Sequence, residues 1–196
     1  MPEQTNTATT AGTPKVSYRA LAVLAVVAVF VYIVDQVSKY FVVTTLTEGA
    51  SVEVIGEILQ FTFVRNPGAA FSIGTGSTWI FAILATAVAV FILFFARRIR
   101  SGAWAALFGL LLGGNLGNLT DRLIREPGFG IGHVIDFLHV WMFPAIFNVA
   151  DIAIVSSMGL FILLTLRGVG LDGTRTVRAK DENPSDADAA ASATQP

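Results

Sequence analysis

The sequence predicts an all-α membrane protein: four transmembrane helices carrying a small extracytoplasmic β-rich element. Three observations lead there. Of 196 residues, 54% are hydrophobic and only 14% charged, a balance that cannot solvate a folded surface unless lipid covers part of it. Several apolar windows reach the length demanded by a bilayer core of about 30 Å. Lys and Arg also fall unevenly between successive loops, which is how spans acquire an orientation. A soluble bundle is disfavoured, because soluble helices of this length carry a polar stripe.

Composition removes several function classes. A net charge of -1, from 13 Lys plus Arg against 14 Asp plus Glu, gives no footprint for nucleic acid. With no Cys there is no disulfide, thiolate zinc site or cysteine nucleophile.

Along the chain, residues 1–18 are polar and Thr-rich and read as a disordered tail. The first helix is expected at about 20–43: Ala20 to Val34 carries no charge, and apolar character resumes after Asp35 and Lys39. It is too long for a cleaved signal peptide, and no small-residue cleavage site follows. Outer loop 44–77 holds two β-prone runs, Ser51 to Ile55 and Leu59 to Val64, around Gly56, which predicts a hairpin. Charge-free windows then place helices at 78–96 and 102–121, and a fourth at 147–166 carrying Asp151 in its first turns. Loop 122–146 joins the last two. Residues 168–196 lack periodicity and read as a second disordered tail, leaving one membrane domain at 19–167.

Basic residues orient the spans. Lys15, Arg19, Arg97, Arg98, Arg100, Arg167, Arg175, Arg178 and Lys180 belong to one side, against Arg65, Arg122 and Arg125 on the other. Both termini are therefore expected in the cytoplasm, with both outer loops outside.

That topology gathers the embedded charges at one depth. Asp35 lies 15 residues beyond Ala20, about 22 Å into the core from the inner side. Lys39 is one turn further out, Asp121 and Arg122 close the third helix, Asp151 opens the fourth, and Asp136 lies between. An isolated charge in lipid costs on the order of 3 kcal/mol, so a shared polar pocket is far cheaper than separate ones.

Spacing sorts the partners. Asp35 and Lys39 are i, i+4 in the favourable order and form either a structural bridge or a substrate contact. Asp121 meets the negative end of its helix dipole and needs Arg122 or an outer-loop amide. Arg122 can hold a carbonyl or brace the loop. Asp136 and Asp151 lack a cationic neighbour. Facing one pocket, they would share a proton and activate water; apart, they are simply a loop cap and a helix cap. A metal site at His133 and His139 is disfavoured, since that run reads as an extended strand and no HExxH is present. Ser38 and Lys39 are adjacent on a helix and point apart, so no serine-lysine pair forms. Gly113, Gly114 and Gly117 read as close helix packing. A proton-coupled transporter and a non-enzymatic membrane chaperone binding peptides in the same groove are the rival readings. The first is disfavoured because the inner halves of the helices carry no charge.

Five strings together resemble the lipoprotein signal peptidases, the type II signal peptidases of bacteria: D-Q-V-S-K at Asp35 to Lys39, R-N-P-G-A-A-F-S at Arg65 to Ser72, G-G-N-L-G-N-L-T-D-R at Gly113 to Arg122, V-I-D-F at Val134 to Phe137 and F-N-V-A-D at Phe147 to Asp151. The resemblance implies a four-helix membrane aspartic endopeptidase with a small extracytoplasmic β-rich cradle. It selects Asp136 and Asp151 as the catalytic pair. Asn66, Asn118, Arg122 and Asn148 match residues that hold the substrate or the pair, and Asp35, Lys39 and Asp121 give polar support. It implies lipidated prolipoprotein substrates, cut before the diacylglyceryl-modified Cys, contact with membrane lipids, and neither metal nor other cofactor. A monomer in the bacterial cytoplasmic membrane, with its site near the outer leaflet, is expected. One departure stands out: the stretch Arg125 to Gly132 is long and glycine-rich, and is expected to form a mobile flap over the pocket.

Overall fold

A computed structural model of the protein describes residues 16–68 and 77–175. Four helices and four strands follow in the order α1 (Tyr18–Thr45), β1 (Ser51–Ile55), β2 (Leu59–Asn66), α2 (Thr78–Phe95), α3 (Gly102–Ile124), β3 (Val134–Val140), β4 (Ile146–Phe147) and α4 (Val149–Leu166). Helix α1 starts where the Ser17 hydroxyl accepts from the Ala20 amide, satisfying one of the first-turn donors. Its buried residues are Ala20, Leu24, Ala28, Val31, Asp35, Lys39 and Val42, a stripe of three- and four-residue steps along one face. Asp35 and Lys39 thus occupy core positions of an otherwise apolar seam.

That seam lies against α3, the central helix, which packs on α1, α2 and α4. Contact is close because α3 offers glycine at every fourth position. A Cβ on Gly109 would come within 2.8 Å of the Leu24 carbonyl oxygen, and one on Gly113 within 2.6 Å of that of Ala28. Gly114 faces the other way, where an added Cβ would sit 2.5 Å from the Ala150 carbonyl oxygen of α4. The helix backbones therefore touch, as small residues permit in bilayers. Gly114→Ala is expected to push α4 from α3 and cost about 1–3 kcal/mol, read as a lower melting temperature in detergent.

Three helical segments, Tyr18–Thr45, Thr78–Arg98 and Val149–Leu166, are long and apolar enough to cross a membrane. All four expected helices are present, and α3 is the one that is not among these three. Its Gly113, Gly114, Asn115, Gly117 and Asn118 dilute its apolarity, as befits a helix that faces protein on most sides. It is fastened by Asn115, whose amide donates to the Ala85 carbonyl of α2 at 2.8 Å.

At the end of the bundle where α1 and α3 begin and α4 finishes, Ala20, Leu24, Ile92, Ile99, Trp104 and Leu164 form a core on which Val169 and Leu171 pack. The Leu171 carbonyl accepts from the amides of Arg100 and Ser101 at 2.9 Å each, and the Trp104 indole donates to the Val169 carbonyl at 2.9 Å. The expectation of a tail beginning at 168 is corrected accordingly: residues 168–175 fold back because two apolar side chains have a place in that core. The rest of both expected tails lies outside the described residues.

At the opposite end, the hairpin expected in the first outer loop is present, and it is part of a larger sheet. All four strands pair antiparallel in the order β1-β2-β3-β4. The segment between α3 and α4 supplies β3 and β4, so the sheet draws on both of the loops expected to lie outside. Alternation along β3 decides the site: Ile135 and Phe137 join Val42 and Phe63 in a second core, and Val134 and Asp136 point the opposite way.

Residues 125–132, expected as a flap, are tied down where the segment begins and ends. The Gly132 amide donates to the Arg122 carbonyl at 3.0 Å and the His133 amide to the Glu126 carbonyl at 2.9 Å, pinning the segment at its base. None of its residues lines the cavity described below.

Candidate active site

Between the sheet and the neighbouring ends of α3 and α4 lies a cavity of about 530 Å³. Asn66, Asn118, Arg122, Asp136 and Asp151 supply its polar wall, and Phe143, Ile146, Phe147, Ile152 and Val155 are among its apolar residues.

Four elements deliver the polar groups. Asp136 stands on β3 opposite Val64 of β2. Its Oδ2 accepts from Asn66 Nδ2 at 2.8 Å and its Oδ1 from Asn148 Nδ2 at 2.7 Å. Asp151 sits in the first turn of α4, which Asn148 caps: the Asn148 side chain accepts from the Asp151 amide at 3.1 Å, and Asp151 Oδ2 accepts from the Asn148 amide at 3.1 Å. Such a reciprocal box explains why Asn and Asp stand three apart at this helix start. The other oxygen of Asp151 accepts from Asn118 Nδ2 at 2.9 Å. Asn148 therefore touches both carboxylates, and the helix-cap reading of Asp151 holds alongside its place in the cavity. Asp136 caps no loop; it is a strand residue.

Behind this wall is a buried ionic cluster. Lys39 Nζ contacts Asp35 Oδ2 at 2.9 Å, Asp121 Oδ2 at 2.8 Å and Asn118 Oδ1 at 2.9 Å, so its three protons are all used. Asp35, Lys39 and Asp121 are fully buried. The Ala150 amide donates to Asp35 at 3.0 Å, and the Ile135 amide to Asp121 at 3.3 Å. Arg125 also pairs with Asp121. Asp121 was expected to use Arg122 or an outer-loop amide. The amide is Ile135, but the guanidinium is that of Arg125, because i, i+4 residues share a helix face and adjacent residues do not. Arg122 instead donates to the Gly68 carbonyl at 2.6 Å and stacks its guanidinium 5.1 Å from the Phe81 ring centroid. Its Nη1 is buried with no hydrogen-bond partner among the described residues.

Sequence reasoning missed two members of this cluster. Gln36 donates to Asp35 at 3.1 Å and to the Gly117 carbonyl at 3.0 Å, and nothing in its spacing announced it. Arg125 did carry a signal, four residues after Asp121. His133 and His139 join no metal cluster: among the described residues no three His, Cys, Asp or Glu converge.

Burial pushes the Asp136 carboxyl up to about 6, with the charge of Asp151 acting the same way, against the opposing hydrogen bonds from Asn66 and Asn148. The charges of the layer point in the same direction. Asp35, Asp121, Asp136 and Asp151 are four acids, and Lys39, Arg122 and Arg125 three bases, so one proton on the carboxyl pair leaves the layer neutral. Two carboxyls holding one proton can both take a proton from water and polarise a carbonyl, without metal or covalent intermediate.

Sequence comparison decides the family. The profile described as Signal peptidase (SPase) II matches residues 27–167. The chain belongs to the signal peptidase II family. Among relatives, the lipoprotein signal peptidase of Leifsonia xyli subsp. xyli is 65% identical over 161 residues, covering 82% of this chain and 74% of that protein. That of Streptomyces coelicolor is 48% identical over 156 residues, covering 80% and 76%. A solved structure described as a bacterial membrane enzyme, determined in meso at 2.3 Å, superposes with a TM-score of 0.70 at 30% identity and covers 87% of this chain and 98% of its own. A second, at 1.9 Å, gives 0.66 at 32% identity, covering 79% and 98%. As a signal peptidase II with three apolar helices and a small antiparallel sheet, the protein is a bacterial membrane peptidase.

Proposed function

We propose that this signal peptidase II is an aspartic endopeptidase that removes the signal peptide from diacylglyceryl-modified prolipoproteins, cutting just before the lipidated Cys. The observation that carries the reading is the pair Asp136 and Asp151, held in one cavity by a shared Asn148. All four helices span the bilayer, both termini are cytoplasmic, and the sheet and cavity lie at the outer leaflet. The protein works as a monomer. A signal peptide spans lipid as a helix with its backbone bonds satisfied, so its scissile bond must be unwound where water and replacement partners exist. The cavity offers both, and its apolar side, with Phe143, Ile146, Ile152 and Val155, faces the acyl chains. Anchoring in lipid then fixes the height of the modified Cys.

In the reaction, Asp151 takes a proton from water as the water oxygen attacks the scissile carbonyl carbon. Asp136 gives its proton to the carbonyl oxygen. The resulting gem-diol collapses: Asp136 recovers a proton from it, the C–N bond breaks, and Asp151 passes its proton to the Cys nitrogen. The products are a new carboxyl group on the signal peptide and a free amine on the lipidated Cys, with the pair restored. Arg122 and Asn66 hold peptide carbonyls along the cavity, Asn118 and Asn148 hold the pair, and Asp35, Lys39 and Asp121 brace it.

The reading is tested by incubating purified protein with a diacylglyceryl-modified precursor and determining the product's amino terminus by mass spectrometry. A lipidated Cys at that terminus is expected. A product cut elsewhere, or no product, contradicts the reading.

pH and chelation make a further prediction. Since burial raises the Asp136 carboxyl, its proton is retained to higher pH than an ordinary Asp retains one and is lost as pH climbs through about 6. kcat/KM is therefore expected to fall on the alkaline side with an apparent pKa of the pair near 6. EDTA is expected to leave the rate unchanged. A descending limb near 4, or inhibition by EDTA, counts against the assignment.

A further inference from the structure

Three asparagine amides meet the carboxyl pair, and a side-chain amide fits its pocket in either of two senses unless an obligatory donor or acceptor fixes it. Two are fixed by backbone. Asn66 Oδ1 accepts from the Gly68 amide at 2.9 Å, and Asn148 Oδ1 from the Asp151 amide at 3.1 Å, so both must turn Nδ2 towards Asp136. Asn118, on α3, receives no backbone donor from the described residues. Its Oδ1 accepts from Lys39 Nζ at 2.9 Å and from Asn148 Nδ2 at 3.1 Å, and its Nδ2 donates to Asp151.

We propose that Lys39 is a positioning residue: its ammonium, which can only donate, is the charged donor that, with Asn148 Nδ2, holds the sense of the Asn118 amide so that a donor faces Asp151 and keeps that carboxylate ready to take water's proton. The inference rests on the proposed reaction of the pair and assigns Lys39 a role beyond balancing two buried acids. The groups facing Lys39 are Asp35 on its own helix and Asp121 and Asn118 on α3. Gln36 donates to Asp35, Arg125 pairs with Asp121, and the amides of Ala150 and Ile135 hold those two acids from α4 and β3. Without the ammonium, Asn118 Oδ1 would keep only Asn148 Nδ2, which also serves Asp136, and the Asp121 carboxylate would repel that oxygen and attract the NH₂ group. The amide would turn over and present its carbonyl oxygen to Asp151, where two acceptors repel. The sense of one amide is thus transmitted from a charge that never touches the substrate.

The test separates this role from charge balance. Asp35→Asn combined with Lys39→Met removes one acid and one base, so the net charge of the trio is kept. Measured on the lipidated precursor, this double variant is expected to keep its melting temperature within a few degrees and its KM within about threefold, yet lose about 100-fold in kcat, the scale on which one preorganised donor acts. Should it fail to fold, Asn118→Asp decides: it keeps the acceptor for Lys39, cannot donate to Asp151, and is expected to show the same fall in kcat. A kcat within threefold of the parent in either folded variant overturns the proposal. Asp136→Asn and Asp151→Asn run in the same assay distinguish the failures: if they are inactive while the Lys39 and Asn118 variants are fully active, only the positioning role falls. If they cleave, the carboxyl-pair reading falls and this inference with it.

Discussion

Asp136→Asn and Asp151→Asn are each expected to reduce the cleavage rate by roughly 10³-fold or more, with KM and membrane insertion little changed. The substitution is nearly isosteric, so cavity shape survives. What disappears differs between the two. At 136 the protonated member is replaced by an amide that cannot give a proton to the scissile carbonyl and take it back. At 151 the amide cannot accept a proton from water. Because both act in one proton circuit, the double variant is expected to be little worse than either single one, as groups working as a unit are non-additive. Kinetics on a lipidated precursor check this. Losses that simply multiply would show that the two carboxyls work independently.

Asp121→Ala is expected to have the largest effect on stability, about 3–5 kcal/mol, seen as a much lower melting temperature and poor yield. Asp121 is fully buried and joins three elements: it pairs with Lys39 of α1, with Arg125 at the end of its own helix α3, and accepts from the Ile135 amide of β3. Its removal leaves the Arg125 guanidinium without its carboxylate and the Ile135 amide without that acceptor, and reduces Lys39 to a single acid. The sheet would loosen where β3 leaves α3, so Asp136 should also lose its placement and activity should fall more than stability alone explains. Thermal unfolding in detergent, compared with Asp121→Asn, measures it. A loss under about 1 kcal/mol would mean the cluster is not what fastens the strand.

Much of this arrangement is legible in the chain because lipid imposes simple rules. A run without charge such as Thr78 to Ala96 has few alternatives to a spanning helix, and the i, i+4 spacing of Asp35 and Lys39 already brings them together. The same rule speaks less strongly for α3. Gly102 to Thr120 is equally free of charge, but its glycines and asparagines serve neighbouring helices and lower its mean apolarity. Strand pairing is less legible. The run H-V-I-D-F-L-H reads as extended, yet nothing local says that it pairs with β2, since that contact joins segments some seventy residues apart.

The site shows the same division. Spacing alone left Asp136 and Asp151 as either caps or a pair; the family resemblance, not periodicity, chose between them. The amides were chosen in the same way, and their use was hidden, because the partners of Asn118 are Lys39 on another helix, Asn148 and Asp151. Gln36 was invisible for that reason, its partners lying on α3 as well as on α1.

The account is tested most directly by mixing one diacylglyceryl-modified precursor with the unmutated protein, with Asp136→Asn and with Asp151→Asn, and weighing the products by intact mass spectrometry. Only the unmutated protein should yield a fragment beginning at the lipidated Cys. The same fragment from either variant, at a rate near that of the parent, would contradict the claim that these two carboxyls together activate the water.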